Sequence, residues 1–174
     1  MTFANPTADG VPVTFLVKER RPGWERVYLP MRPNGSTGWV RDSSVTLLRD
    51  PYRVVVSLTA HTIRVWRDDR LIHEEPVGVG RTVTPTPTGT YFLVELFRQS
   101  DSSGLYGPYA FGTSAFSDAL YSFGGGPGQI GLHGTNAPGG LGTDVSHGCI
   151  RISNAGITTL AHLLPLGTPI TITR

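Results

Sequence analysis

A chain of 174 residues is long enough to bury a core without staples, and its single cysteine excludes an internal disulfide framework, although a lone thiol does not exclude an extracytoplasmic home. Its 15 basic and 13 acidic residues leave a scattered net charge of +2, which excludes a charge-driven nucleic-acid or membrane-surface binder. No run approaches the roughly 20 apolar residues of a membrane helix, and the opening MTFANPTADG lacks the basic and apolar regions of a signal peptide, so the protein is cytosolic or its export segment is missing from this chain.

With 22 glycines and 14 prolines around short runs of Val, Ile, Thr and Tyr, the composition predicts a mainly β protein with many turns. Residues 11 to 48 read as closely spaced strands, VPVTFLV, WERVYLP and TGWVRDSSVTLL, broken by RRPG and RPNGS. Strands this short bury a face by curling into a small barrel. Gly23-Trp24-Glu25-Arg26-Val27 followed by Gly38-Trp39-Val40 and a closing Val45 resembles the bacterial SH3 domain. Trp24 and Trp39 are read as barrel core or domain interface, with a ligand-binding aromatic face as the alternative. Asp50-Pro51 disfavours continuation of the strand, which predicts two domains, an SH3-like barrel over 1–49 and a second, β-rich domain over 50–174.

The second domain opens with YRVVVSL, HTIRVWRDD, RLIHEEPVGVG and GTYFLVELF, all of strand length, with Asp68-Asp69 placed for a hairpin turn. TVTPTPTG is predicted as a stiff surface loop, because Pro85 and Pro87 lack donors for a ladder. From Arg98 to Gln129 the pattern dissolves, and the aromatic residues between Tyr106 and Phe123 predict a lid or cleft wall in place of disorder. The triple glycine inside it, with no Gly-Lys-Ser/Thr after it, is a hinge or tight turn, not a phosphate cradle. One short helix is expected over 154–164, capped by Asn154, apolar along Ile157, Leu160, Ala161 and Leu164, and stopped by Pro165. TPITIT closes the chain as a strand.

Cys149, in VSHGCIR, has three readings. It could be a buried small residue, although Ser146, His147 and Gly148 make a turn that would present the thiol. It could join His133 and His147 around zinc, although structural sites normally use more thiolates. It could be a nucleophile, for which a thiol of pKa about 8.5 needs a neighbouring base or positive field. For that role His133 is the better base: it ends the strand-like QIGLHG, and a Pro/Gly-rich loop lets two β segments adjoin and bring its imidazole to the sulfur. The backbone amides around Gly148 and Cys149 are then oxyanion donors.

IGLHGTNAPGGLGTDVSHGCIRISN, with TPTG from Thr86, YGPYAFG from Tyr106 and LPLGTPITI from Leu164, resembles the YkuD-type L,D-transpeptidases of bacterial cell walls. The resemblance implies a β-rich catalytic domain working without cofactor or metal. Cys149 would attack the carbonyl between meso-diaminopimelate and the terminal D-alanine of a peptidoglycan tetrapeptide stem, releasing D-alanine and leaving a thioester. An amine of a second, acceptor stem would then resolve it into a 3-to-3 cross-link. His133 would be base and then acid, with the Gly134 carbonyl orienting its ring. His147 would shape the loop, Ser146 would hydrogen-bond the turn, and Arg151 would meet a substrate carboxylate or brace the loop. The aromatic stretch would be a flap over the donor stem, with Tyr109 and Tyr121 touching it. His61, His73 and His162 are read as ordinary surface or satisfied histidines. Carbapenem β-lactams would be covalent inhibitors, and the setting would be the extracytoplasmic envelope. An L,D-carboxypeptidase, a hydrolase detaching wall-anchored protein, and a non-catalytic wall-binding protein are the alternatives.

Overall fold

The computed structural model describes residues 2–7 and 10–174. Near the N-terminus, β1 (Val17–Arg21), β2 (Trp24–Tyr28) and β3 (Thr37–Arg41) form a three-stranded antiparallel sheet in that order. Alternation along β2 turns Glu25 and Val27 inward, and leaves Trp24 on the outer face beside Trp39 of β3. Both rings carry a guanidinium, Arg41 over Trp24 at 5.1 Å and Arg21 over Trp39 at 4.8 Å. The tryptophans, read as barrel core or domain interface, are thus at the surface, about 40% exposed (39% and 41%). The strand predicted over VPVTFLV begins only at its last residue, Val17, so a sheet stands here in place of the expected closed barrel.

The remainder is built on an eight-stranded sheet. Its strands are β4 (Tyr52–Ser57), β5 (Thr62–Arg67), β6 (Arg70–Pro76), β8 (Gly89–Arg98), β9 (Tyr109–Phe116), β10 (Gln129–His133), β12 (Ile150–Arg151) and β13 (Pro169–Thr173). They lie in the order β12-β10-β9-β8-β13-β4-β5-β6. The first three form a meander whose second turn is at Asp68-Asp69 as predicted, with Asp68 at φ 51°. The C-terminal β13 then inserts between β4, which it meets in parallel, and β8, which it meets antiparallel. Val54, Ile63, Leu93, Phe111, Leu132 and Ile170 are all at most 1% exposed and form the centre of the core. A second, two-stranded parallel sheet pairs β7 (Val79–Gly80) with β11 (Asp144–Ser146).

The structure corrects three local expectations. YAFGTSAF, inside the stretch read as one long loop, is the strand β9, and five of its eight residues are buried in sequence. Its small residues and its burial on both faces conceal the period of two that marks a half-buried strand. TVTPTPTG is not a plain surface loop: Thr84, Thr86 and Pro87 are buried against the turn that carries Cys149. The helix α1 (Asn154–Leu163) is capped by Ser153, whose Oγ accepts the Gly156 N–H at 2.9 Å, while Asn154 is its first helical residue. That helix packs on β9 and β10 through Ile157 and Leu160, directly behind the strand that ends in His133.

Leu132 precedes His133 and is fully buried. Leu132→Ala is expected to cost about 2–5 kcal/mol in chemical denaturation. A loss below about 1 kcal/mol would show that β10 is not anchored by this core contact.

Candidate active site

β10 and β12 run parallel, with Leu132 opposite Ile150 and His133 opposite Arg151. Alternation then puts Gly131, His133, Cys149 and Arg151 on one face of the pair, while Leu132, Ile150 and Ile152 fill the core on the other. The Gly131 N–H donates to Cys149 Sγ at 3.3 Å. A methyl on Gly131 would stand 3.5 Å from His133 Cδ2 and 3.7 Å from Cys149 Sγ, so the imidazole and the thiol flank this bare glycine. The folding-back expected of the Pro/Gly-rich loop is what the structure contains.

Cys149 lies where the chain leaves the small sheet at Ser146 and joins the large one at Ile150. The sharp turn between them places Gly148 at φ +122°, and a side chain there would meet Ile130 Cδ1 at 3.0 Å. Ser146 Oγ accepts the Gly148 N–H at 3.0 Å and donates to the Cys149 carbonyl at 2.6 Å. Thr86 Oγ1 donates to the Gly148 carbonyl at 2.8 Å and accepts the Gly80 N–H at 2.9 Å. Two buried hydroxyls therefore hold both sides of the turn.

These bonds bear on two expected roles. Ser146 is fully buried and its hydroxyl makes the bonds to the turn expected of it, at the edge of the cleft. The Gly148 amide is taken by Ser146 Oγ, which makes it unavailable as an oxyanion donor in this arrangement. The Cys149 amide, the other one expected to serve, is the donor that remains.

His133 is 2% exposed, and its Nδ1 lies 2.6 Å from the Gly134 carbonyl. A carbonyl only accepts, so in the neutral ring Nδ1 carries the proton and Nε2 keeps its lone pair. Burial pushes the His133 pKa down to about 4, aided by the Arg151 charge and opposed by the Gly134 bond. Burial also raises the Cys149 thiol above its ordinary value, while the Gly131 N–H and Arg151 pull the other way. The resting pair is a neutral thiol beside a neutral imidazole. Asn154 supports this geometry from below: its Oδ1 accepts the Thr135 N–H at 2.8 Å and packs so closely on Gly134 and Gly107 that neither could carry a side chain.

A cleft of about 220 Å³ opens over the site, lined by Cys149, His133, Arg151, His147, Tyr106 and Phe123 among others. Tyr106 sets its edge on His133 with ring centres 4.8 Å apart, and Phe123 stacks on His147 at 5.2 Å. Neither tyrosine expected to touch the donor is among the residues lining the cleft. Tyr109 belongs to β9 and meets His162 at 5.7 Å, while Tyr121 is 75% exposed with its ring under Arg32. Arg151 lines the cleft, and its buried Nε has no hydrogen-bond partner. Of the histidines set aside, His61 pairs with Asp144 and His73 with Glu75, each at 2.8 Å. No cluster of three or more His, Cys, Asp or Glu side chains able to hold a metal occurs among the described residues.

Sequence reasoning missed Thr86, Gly131 and Tyr106 and gave Asn154 only a capping role. Thr86 lay within the TPTG motif, but its use depends on a contact 62 residues away.

Residues 51–172 match the family YkuD, described as the L,D-transpeptidase catalytic domain. The YkuD protein of Bacillus licheniformis is 37% identical over 123 residues, 71% of this chain and 66% of that relative. An L,D-transpeptidase from Mycobacterium smegmatis shares the fold at a TM-score of 0.60 and 17% identity, covering 90% of this chain and 80% of that one. L,D-transpeptidase 3 from Mycobacterium tuberculosis, in complex with a faropenem-derived adduct, aligns at a TM-score of 0.57 and 22% identity over 71% of this chain and 60% of that one. The chain spans about two thirds of the length of the curated relatives it matches, 66% and 67% for two of them.

The depressed His133 pKa makes stability pH-dependent. Between pH 6.5 and about 4 the unfolded chain holds a proton that the folded one refuses, so the stabilisation is complete above pH 6.5 and lost as pH falls toward 4. Chemical denaturation should show a loss of roughly 3 kcal/mol across that window that His133→Gln does not share. Equal losses in both proteins would refute the buried neutral imidazole. Alkylation of Cys149 by iodoacetamide should climb with pH beyond neutrality; a plateau reached by about pH 7 would indicate a preformed thiolate instead.

Proposed function

The chain belongs to the YkuD family of L,D-transpeptidase catalytic domains, and we propose that it is a cysteine acyltransferase acting on peptidoglycan stem peptides. The observation that carries this reading is the placement of His133 and Cys149 on either side of Gly131, with Nδ1 tied to Gly134 and Nε2 left to take a proton.

His133 Nε2 accepts the thiol proton as Cys149 Sγ adds to the carbonyl between meso-diaminopimelate and D-alanine in a donor tetrapeptide stem. The developing oxyanion is met by the Cys149 amide. Collapse breaks the C–N bond, D-alanine leaves with the proton from His133, and a thioester remains. The acceptor stem's side-chain amine then attacks, giving a proton to His133, which returns it to the departing sulfur as the new amide forms. Because thiol and imidazole both start neutral, proton removal accompanies attack and no ion pair stands ready beforehand.

Arg151 holds the donor's carboxylate. A buried guanidinium nitrogen without a partner, on the face that carries Cys149, supports this role over bracing alone. His147 and Phe123, stacked on each other, line the same cleft. We read residues 1–49 as an SH3-like module and 50–174 as the catalytic domain; Gly38-Trp39-Val40 and the meander of β1 to β3 support the first assignment. The place of action is the cell envelope, where the wall substrate lies.

A carbapenem offers Cys149 an activated β-lactam carbonyl, and intact mass should show one acyl adduct, absent in Cys149→Ala. His133→Ala should slow adduct formation by about 10²-fold or more, and Arg151→Gln should weaken turnover of tetrapeptide donors by roughly 10- to 100-fold, the worth of one charge-assisted hydrogen bond. No adduct on the wild-type protein would refute the acyl-enzyme reading. Purified muropeptides should yield cross-linked dimer; tripeptide alone would make the protein a carboxypeptidase.

A further inference from the structure

The connection between β2 and β3, read in the sequence only as a breaker, reaches across to the catalytic cleft. Arg32 Nη1 donates to the Pro127 carbonyl at 2.7 Å, and Nη2 donates to the Ser117 and Leu120 carbonyls, each at 2.9 Å. Its guanidinium also lies against the rings of Phe116 and Tyr121, both at 4.9 Å. Two residues on, Asn34 Oδ1 accepts the Phe116 N–H at 2.9 Å while its Nδ2 donates to the Phe116 carbonyl at 2.7 Å. A side chain thereby completes the backbone pairing of the last residue of β9.

These partners are not scattered. Residues 117–128 leave β9 and return to β10, and the loop is closed at its neck by the Ser117 N–H on the Gly128 carbonyl at 2.8 Å. Arg32 sits at that neck and ties carbonyls near both ends together with one inside the loop. Gly128, at φ +73°, has no room for a side chain because the Leu120 carbonyl and Arg32 Nη2 occupy the space. The loop's inner side supplies Ser117, Leu120, Phe123 and Gly128 to the cleft over Cys149. Carbonyls converging on a neck cannot satisfy one another, and a planar guanidinium with five donors fits them where an ammonium cannot.

We propose that Arg32 is a positioning residue for the donor cleft, holding residues 117–128 in their seated conformation from the N-terminal unit, with Asn34 fixing the strand end from which the loop departs. The proposal rests on the acyl-enzyme reading of Cys149. Arg32 touches no reacting atom, so its removal lowers the fraction of molecules with a formed cleft and leaves the chemistry of the formed cleft intact. A cleft seated in one molecule in ten would raise the half-saturating donor concentration about tenfold.

The test uses the full chain and a carbapenem as probe. In Arg32→Ala the half-saturating concentration for acylation should rise about tenfold, while the limiting rate at saturation stays within about twofold of wild type. Arg32→Lys should recover little of this. Tyr121→Ala, which strips one ring from the guanidinium at an exposed site, should shift the same constant in the same direction by less. Backbone amides of 117–128 should exchange hydrogen faster in Arg32→Ala, with β8, β10 and β13 unchanged. Wild-type half-saturation and wild-type exchange in Arg32→Ala would overturn the proposal. Absence of any adduct on wild type is the separate failure of the acyl-enzyme reading, and the exchange measurement still decides the role of Arg32.

Discussion

The parallel pairing of β10 with β12 is the constraint on which the site depends. It brings together residues far apart in the chain and sets their relative height to one residue, so that Cys149 meets the Gly131 amide and His133 meets Arg151. A shift of one residue would send the catalytic face into the core and the core face into the cleft. Leu132, Ile150 and Ile152 are fully buried, which makes that shift prohibitive. The same apolar contacts that stabilise the sheet therefore specify the chemistry. Precision comes from rigid elements.

Around this face the polar groups are nearly all committed. The Gly148 amide and carbonyl and the Cys149 carbonyl each have a hydroxyl partner in Ser146 or Thr86, leaving the turn little freedom to relax. Burial has an electrostatic consequence as well. It lowers the basicity of His133 and raises the pKa of Cys149, so neither charged form is favoured at rest. Both groups lie within reach of the Arg151 charge. A sulfur kept protonated between turnovers is also a poorer target for oxidation than a standing thiolate.

The legibility of the sequence follows the range of the forces involved. The meander β4 to β6, the Asp68-Asp69 turn and the helix that stops before Pro165 are local patterns, and they stand where expected. His133 and Cys149 were legible because the loop between them is short and flexible enough for one obvious closure. β9 was not, since a strand covered on both faces loses its alternation and its glycine and alanine look like loop residues. His133 shares the face of Cys149 through the pairing of β10 with β12, while the chain turns sharply at Gly148 between His147 and Cys149. Tyr109 and Tyr121 could not be told from Tyr106 and Phe123, because four aromatics in an irregular stretch have no period to sort them. Thr86 and Arg32 act across 62 and at least 85 residues, and only the folded chain brings such partners together.

The cleft has two walls of different character. One is the sheet face, anchored in the core, and the other is the loop 117–128, whose outward side is largely solvent-exposed and whose inner side carries Phe123 and Leu120. Phe123 and Leu120 give that side of the cleft an apolar lining, which disfavours water near the sulfur. Because the loop cannot satisfy its own neck carbonyls, its seating depends on groups outside the catalytic sheet, and the N-terminal unit provides them. His133 and Cys149 thus stand on the sheet, while the loop that faces them is held by a contact from the N-terminal strands.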